Sequence, residues 1–298
     1  MTQPKTMDAA DWGLLVLLSL LWGGAFFFAG VAVRELPPLT VVLIRVALAA
    51  AMLSPLFWWF GHHLPRGWDA WRPFFVMGLL NNVLPFGLIF AGQTYVTVGL
   101  AAIINALTPL FAVLVMAGFR EERLTVLRVT GVLMGVVGVA VLKGFGRAEP
   151  DQIVGILLCM AGALSYGFAA LWARRHLVGV PPLKGATCQL MCSTLIMAVL
   201  VSAYDQPWTL SAPSWNVIWA LLALAFLGTA IAYLVFFQIV LRAGPSNVML
   251  VTLLIPVSAM VLGSVYLDEP VRLREIVGAV IIGLGLLFID GRLVRRRL

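Results

Sequence analysis

The sequence predicts an all-α, polytopic integral membrane protein. Its fold class is ten transmembrane helices arranged as a 5+5 inverted-topology repeat, with both termini cytoplasmic. Three observations carry this. The 298 residues are 62% hydrophobic and only 11% charged, where a soluble domain carries about 25% charge. The apolar residues fall into ten stretches, each near the ~20 residues that cross a bilayer. The last five stretches echo the first five. A unit with an odd number of spans crosses in the opposite sense when duplicated, and two inverted halves with a site between them form a carrier architecture.

The elements follow in order. A first stretch near 12–32 comes after Lys5, Asp8 and Asp11, lacks a small-x-small cleavage site and leads straight into another span. It therefore reads as a retained helix and not a leader. The second (38–60) contains Arg45, the third (71–92) Asn81, Asn82 and Pro85, and the fourth (97–118) Asn105 and Pro109. Glycines 131, 135 and 138 mark the fifth, 125–143. The hydrophilic segment Lys143–Gln152 is the seam, dividing a first repeat at 1–148 from a second at 149–298. Tyr166 lies in the sixth stretch (152–172) and Gln189 in the seventh (183–204). Thr229 and Tyr233 lie in the eighth (215–238), and Thr252 and Pro256 in the ninth (247–267). The tenth, 273–290, repeats the glycine pattern at 278, 283 and 285. Links between stretches are too short for a soluble domain.

The net charge of +7 is explained by position and not by nucleic acid. With the N-terminus inside, 14 Lys and Arg fall on cytoplasmic segments and 5 on outer ones, and the twentieth, Arg45, lies within a span. That bias fits the positive-inside rule, and an odd span count would put Arg295-Arg296-Arg297 outside, against it. Cys159, Cys188 and Cys192 all fall in apolar stretches and read as small packing residues, with no metal site and no disulfide framework.

The repeat is sharpest at an offset of 147. Pro109 lands on Pro256, Glu121-Glu122 on Asp268-Glu269, Gly131 on Gly278 and Gly138 on Gly285. Slightly smaller offsets match Pro37-Pro38-Leu39 to Pro181-Pro182-Leu183, Gln93 to Gln238 and Phe26 to Phe168. These residues, with Trp22-Gly23-Gly24-Ala25-Phe26 and Ala91-Gly92-Gln93, resemble the drug/metabolite transporter superfamily and its EamA-type members. The resemblance covers nearly the whole chain. It implies a central cavity between the repeats, with the fifth and tenth spans at the periphery and the first and sixth around the cavity. The chain looks most similar to YddG-type exporters of aromatic amino acids, a narrower likeness that rests on the spans as a whole.

Candidate substrate-binding residues are the polar and aromatic groups at depth: Trp22, Phe26, Arg45, Asn81, Asn82, Asn105, Tyr166 and Thr252. Pro85, Pro109 and Pro256 are helix-kink positions that free the carbonyls of Asn81, Asn105 and Thr252. Those carbonyls either meet cargo or are repaired locally by side chains or water. Asn81 and Asn82 point about 100° apart, so at most one faces a cavity squarely. Arg45 lies roughly 10 Å below the outer edge. It can attract a carboxylate, snorkel to headgroups, or tie helix-end carbonyls. The glycines serve packing first and a dimer contact second.

All 13 Asp and Glu lie at span ends, loops or termini, so a carboxylate at mid-membrane for ion coupling is not expected, although Glu121, Glu122, Asp268 and Glu269 sit near enough to the edges to gate. No cluster of catalytic groups appears, so an enzyme is not expected, and neither is a cofactor. A membrane scaffold would explain the glycines but not the matched prolines. The expected partners are the lipid bilayer and a small, amino acid-like substrate, with no nucleic acid, in a monomer or homodimer of a bacterial inner membrane. A zwitterion suits an uncharged, aromatic-lined cavity. A purine, a sugar derivative or a cation is the alternative cargo.

Overall fold

The computed structural model describes residues 7–144, 150–248 and 250–290. Among these there is no strand, and ten long helices account for most of the chain. They are α1 (Ala9–Ala32), α2 (Pro38–Trp59), α3 (Trp68–Gly92), α4 (Val98–Gly118), α5 (Val126–Lys143), α6 (Pro150–His176), α7 (Pro182–Tyr204), α8 (Trp215–Ala243), α9 (Val251–Leu267) and α10 (Leu273–Asp290). The first eight are long and apolar enough to cross a membrane, and α9 is a shorter apolar helix. In α10, Arg274 and Glu275 lie at one end and Asp290 at the other. The protein is a multi-pass membrane protein. Lys5, Arg147 and the basic tail from Arg292 to Arg297, which figured in the charge argument, lie outside the described residues.

Helix starts are set locally. Asp8 and Asp11 form a reciprocal capping box on α1, the Asp11 amide donating to Asp8 at 2.8 Å and the Asp8 amide to Asp11 at 3.2 Å. Thr97, Thr125 and Ser214 cap α4, α5 and α8, while Pro38 and Pro182 occupy first-turn positions of α2 and α7. The outward faces stay apolar, with Val136, Leu195, Val199 and Trp219 at 63, 66, 70 and 66% exposed. That is the surface a bilayer solvates and water does not.

The principal packings are α1 with α8 and α9, α6 with α3 and α4, α2 with α7, α4 with α9, and α5 with α10. In the α5–α10 pair a Cβ on Gly131 would stand 2.5 Å from the Gly285 carbonyl oxygen, and one on Gly285 would stand 2.7 Å from that of Gly131. Gly138 and Gly278 oppose each other in the same reciprocal way, at 3.1 Å. Backbones meet here without side chains between them. These four glycines pack within the chain, as the packing reading expects.

Two carboxylates expected at the rim are nonetheless buried. Asp11 and Glu275 are 5 and 4% exposed, in the first turns of α1 and α10. Asp11 accepts from Arg242 at 2.8 Å, an ion pair that makes its burial tolerable. The three cysteines are buried and unpaired.

Candidate functional site

Two helices widen into π-turns at mid-length. Residues Leu79–Val83 of α3 and Phe226–Ile231 of α8 form π-turns, in which the ladder steps to i→i+5 and leaves carbonyls out of register. Neighbouring side chains take them up. Ser165 of α6 donates to the Leu80 carbonyl at 2.8 Å, and the Ser193 hydroxyl of α7, which donates to Gln189 in its own helix at 2.7 Å, lies 3.3 Å from the Gly78 carbonyl. In α8 the Thr229 hydroxyl donates to the Leu224 carbonyl at 3.1 Å.

Arg45 of α2 binds the α8 π-turn. Its Nε donates to Thr229 Oγ1 at 3.0 Å and its Nη2 to the Gly228 carbonyl at 3.4 Å. The guanidinium lies 3.8 Å from the Phe86 ring centroid and 5.7 Å from that of Phe90. At 6% exposed and turned inward, it does not snorkel, so that reading fails. The helix tie is present. Yet no carboxylate pairs with this buried cation among the described residues, where the ion pairs involve Arg128, Arg174, Arg175 and Arg242. Its Nη1 carries no described hydrogen bond. Tyr166 of α6 and Tyr233 of α8 lie within electrostatic reach of it.

Around this charge the polar groups are loosely held. Asn81 Nδ2 donates to Gln189 Oε1 at 3.5 Å, and Gln189 Nε2 to the Tyr233 hydroxyl at 3.4 Å, both at the weak limit of hydrogen bonding. Asn82 is different: fully buried, it donates to Ser193 at 2.9 Å and ties α3 to α7. The two asparagines do not diverge as a regular helix would have them: Asn81 Nδ2 also donates to Asn82 Oδ1 at 3.4 Å, and both side chains reach α7, at Gln189 and Ser193.

The remaining predicted residues are spread around this centre. Phe26 packs against three separate hydrophobic clusters, which places it at their junction. Trp22, one turn away, meets Phe236 with the rings tilted by 40° and their centroids 5.6 Å apart, within the α1–α8–α9 cluster. At the break of α4, before Pro109, the Asn105 carbonyl accepts from the Thr108 hydroxyl at 2.8 Å, so local repair holds at that carbonyl. The Asn105 Oδ1 is buried without a hydrogen-bond partner among the described residues. Pro85 follows the α3 π-turn after one residue, Leu84. Thr252 and Pro256 line an apolar crevice of about 650 Å³ between α4, α9 and α10, with Ile103, Met260 and Ile276. The structure therefore brings Arg45, Asn81 and Tyr166 together and sets Thr252 apart.

Phe86 and Phe90 were missed by sequence reasoning. Their i, i+4 spacing just beyond Pro85 puts them on one face of α3, but nothing in the sequence says that Arg45 lies over that face.

Comparison with known proteins gives the family. The sequence pattern of the EamA-like transporter family matches twice, over residues 12–143 and 153–290. The "Uncharacterized transporter YvbV" of Bacillus subtilis is 29% identical over 283 residues, covering 94% of this chain and 90% of that protein. The "Uncharacterized inner membrane transporter YedA" of Escherichia coli is 26% identical, covering 85 and 81%. A crystal structure superposes with a TM-score of 0.67 at 21% identity over 98% of this chain and 99% of that one, which establishes a shared fold. With the family pattern spanning both of its halves, the chain belongs to the EamA-like transporter family of the drug/metabolite transporter superfamily, and transport is its function.

Proposed function

We propose that the chain is a carrier of the bacterial inner membrane that exports small zwitterionic metabolites, amino acids with neutral or aromatic side chains, by alternating access. The single observation that carries this is Arg45: a buried guanidinium with neither a carboxylate partner nor a hydrogen bond at Nη1 among the described residues, flanked by Phe86, Phe90, Tyr166 and Tyr233. Intramembrane charge is costly, and a site that keeps it without a counter-ion favours an anionic guest. The cargo carboxylate meets Arg45, and the aromatic rings and the adaptable Asn81–Gln189 pair receive the rest. Phe26 at the junction of the clusters and Asn105 with its unpartnered oxygen border the same path. Pro85, Pro109 and Pro256 set the bends.

An inverted repeat, with a first unit of 1–148, a second of 149–298 and both termini cytoplasmic, fits the packing. Under exchange of the halves the Gly131–Gly285 contact becomes Gly278–Gly138, which also occurs. That pairing runs antiparallel, as inverted units require. The π-turns at Leu79–Val83 and Phe226–Ile231 stand one repeat apart. Packing of α1 on α8 and α9 exchanges with packing of α6 on α3 and α4. Rocking one half against the other would expose the Arg45 centre to each side in turn.

Proteoliposomes carrying purified protein test this with a panel of labelled amino acids. Saturable counterflow of neutral or aromatic amino acids, competed only by carboxylate-bearing analogues, is expected. Flux of amines or nucleobases in place of amino acids would overturn the cargo assignment.

A further inference from the structure

At the end of the molecule that this topology places outside, three carboxylates cross between the halves. Glu35 accepts from the Ser214 amide and hydroxyl, both at 2.7 Å. Asp205 accepts from the Thr40 amide at 2.8 Å and hydroxyl at 2.7 Å. Glu269 accepts from the Val98 amide, at 3.1 Å through Oε1 and 2.9 Å through Oε2. The opposite end is tied by charge pairs instead, Glu121 and Glu122 to Arg175 and Arg174, and Asp11 to Arg242.

Glu269 is the most confined of the three. Asp268 adopts a left-handed turn (φ 55°) that folds the chain back, so that the Glu269 amide reaches the Gly263 carbonyl at 3.2 Å. A Cβ on Gly263 would stand 2.7 Å from Glu269 Oε2, so only a glycine leaves room for the carboxyl group there. The group is pressed between the α9 backbone and the first turn of α4, and no cation is in ion-pair contact with it among the described residues. The charges facing it are Arg34 at the end of α1, which attracts, and Glu275 at the start of α10, which repels. Asp268 and Arg272 flank it in sequence, and α4 contributes no charge between Val98 and Asn105.

At the other end the backbone turn recurs, the Glu122 amide lying 3.4 Å from the Met116 carbonyl, but among the described residues the carboxylate has other partners. One repeat earlier, Glu122 stands for Glu269, and Pro245 stands where Val98 would lie. Proline has no N–H to give. Glu122 instead pairs with Arg128 at 2.8 Å and Arg174 at 2.9 Å.

We propose that Glu269 is a proton-binding latch of the outer gate: closure takes a proton from the outer water onto its carboxylate, and opening returns it. The proposal rests on the alternating-access reading above and adds a coupling site to it. Burial pushes the Glu269 pKa above its usual 4.5, outweighing the Val98 and Gly99 amides and Arg34, which act the other way. A closed state that holds the proton more tightly than a water-exposed open state is favoured at low pH. That advantage is complete below the ordinary value and fades as pH rises through the raised one. Alkaline conditions outside therefore open the gate.

Spin labels on Thr94→Cys and Leu273→Cys, exposed positions on opposite halves at this end, read the gate in proteoliposomes of the full chain. A short distance should dominate at acidic pH. A longer one should grow by up to about tenfold per pH unit, the limit that one proton imposes. Glu269→Gln keeps a carbonyl acceptor without ionising and should hold the short distance at every pH. Glu269→Ala removes the acceptor and should favour the long one throughout, while Glu122→Gln should respond like the parent chain. A Glu269→Gln variant that titrates like the parent, or a distance indifferent to pH in all variants, overturns the latch. Labelled amino-acid flux in the same vesicles separates the two readings. Flux with pH-indifferent distances sinks the latch and supports the carrier, and a titrating distance without flux supports the latch and sinks the amino-acid cargo.

Discussion

Replacing Arg45 by glutamine removes the buried charge while keeping a side chain able to donate to Thr229 or Gly228. If cargo carboxylate binds the free end of the guanidinium, the lost contact is a charge-assisted hydrogen bond worth about 1.5–3 kcal/mol. At 1.4 kcal/mol per tenfold, cargo affinity should fall by about 10- to 150-fold. The attraction of the cation to the Phe86 face, 3.8 Å away, contributes to the fold and not to cargo, and its loss costs about 0.5–2 kcal/mol. Two measurements keep these apart. The melting temperature reports the aromatic contact, and the half-saturating concentration in counterflow reports the cargo. Arg45→Lys keeps charge without the planar fork and should fall between the parent and the glutamine variant. An amino-acid amide, lacking the carboxylate, should bind the parent weakly and the glutamine variant no worse. A folded Arg45→Gln protein with unchanged half-saturation for the free acid would refute the assignment and leave Arg45 as a tie between α2 and α8.

Other outcomes follow from the packing and the rim. Gly131→Ala drives a methyl into the Gly285 carbonyl 2.5 Å away, and overpacking of this kind costs about 1–3 kcal/mol. A lowered melting temperature checks it, and an unchanged one would mean that α5 and α10 separate freely. Asn105→Ala deletes an oxygen buried without a partner, so flux should drop with no loss of melting temperature. A less stable protein with normal flux would make Asn105 structural. The Ser214 amide and then its hydroxyl hold the Glu35 carboxyl below its usual 4.5. Its contribution is therefore present above that value and is lost as pH falls through the lowered one, the reverse of Glu269. Glu35→Gln should flatten the acid side of a melting-temperature profile, and an unaltered acid side would show that the Ser214 contact is idle.

The helices were legible because they are written in composition and period. Apolar runs, matched glycines and the Pro109–Pro256 echo need no tertiary information, and the predicted bounds fall close to the observed ones. The π-turns were not legible. Asn81 and Asn82 stand out as polar residues at depth, but the i→i+5 ladders persist because Ser165 and Arg45, remote in sequence, supply donors to their carbonyls. The tie made by Arg45 was one of three readings left open, since a single charge in a span does not say which carbonyl it meets. Thr252 drew attention through Pro256, yet both face the apolar crevice. Proline marks a bend but not the direction in which the bend faces. The rim carboxylates were noticed only as possible gates, because a carboxylate bound to the amide of a distant helix leaves no local trace.

The three thiols have a practical consequence. Cys159, Cys188 and Cys192 are 0, 0 and 3% exposed, so a maleimide added in buffer finds nothing native to alkylate. A single cysteine engineered at either rim would report alone, and the untouched chain serves as its own blank.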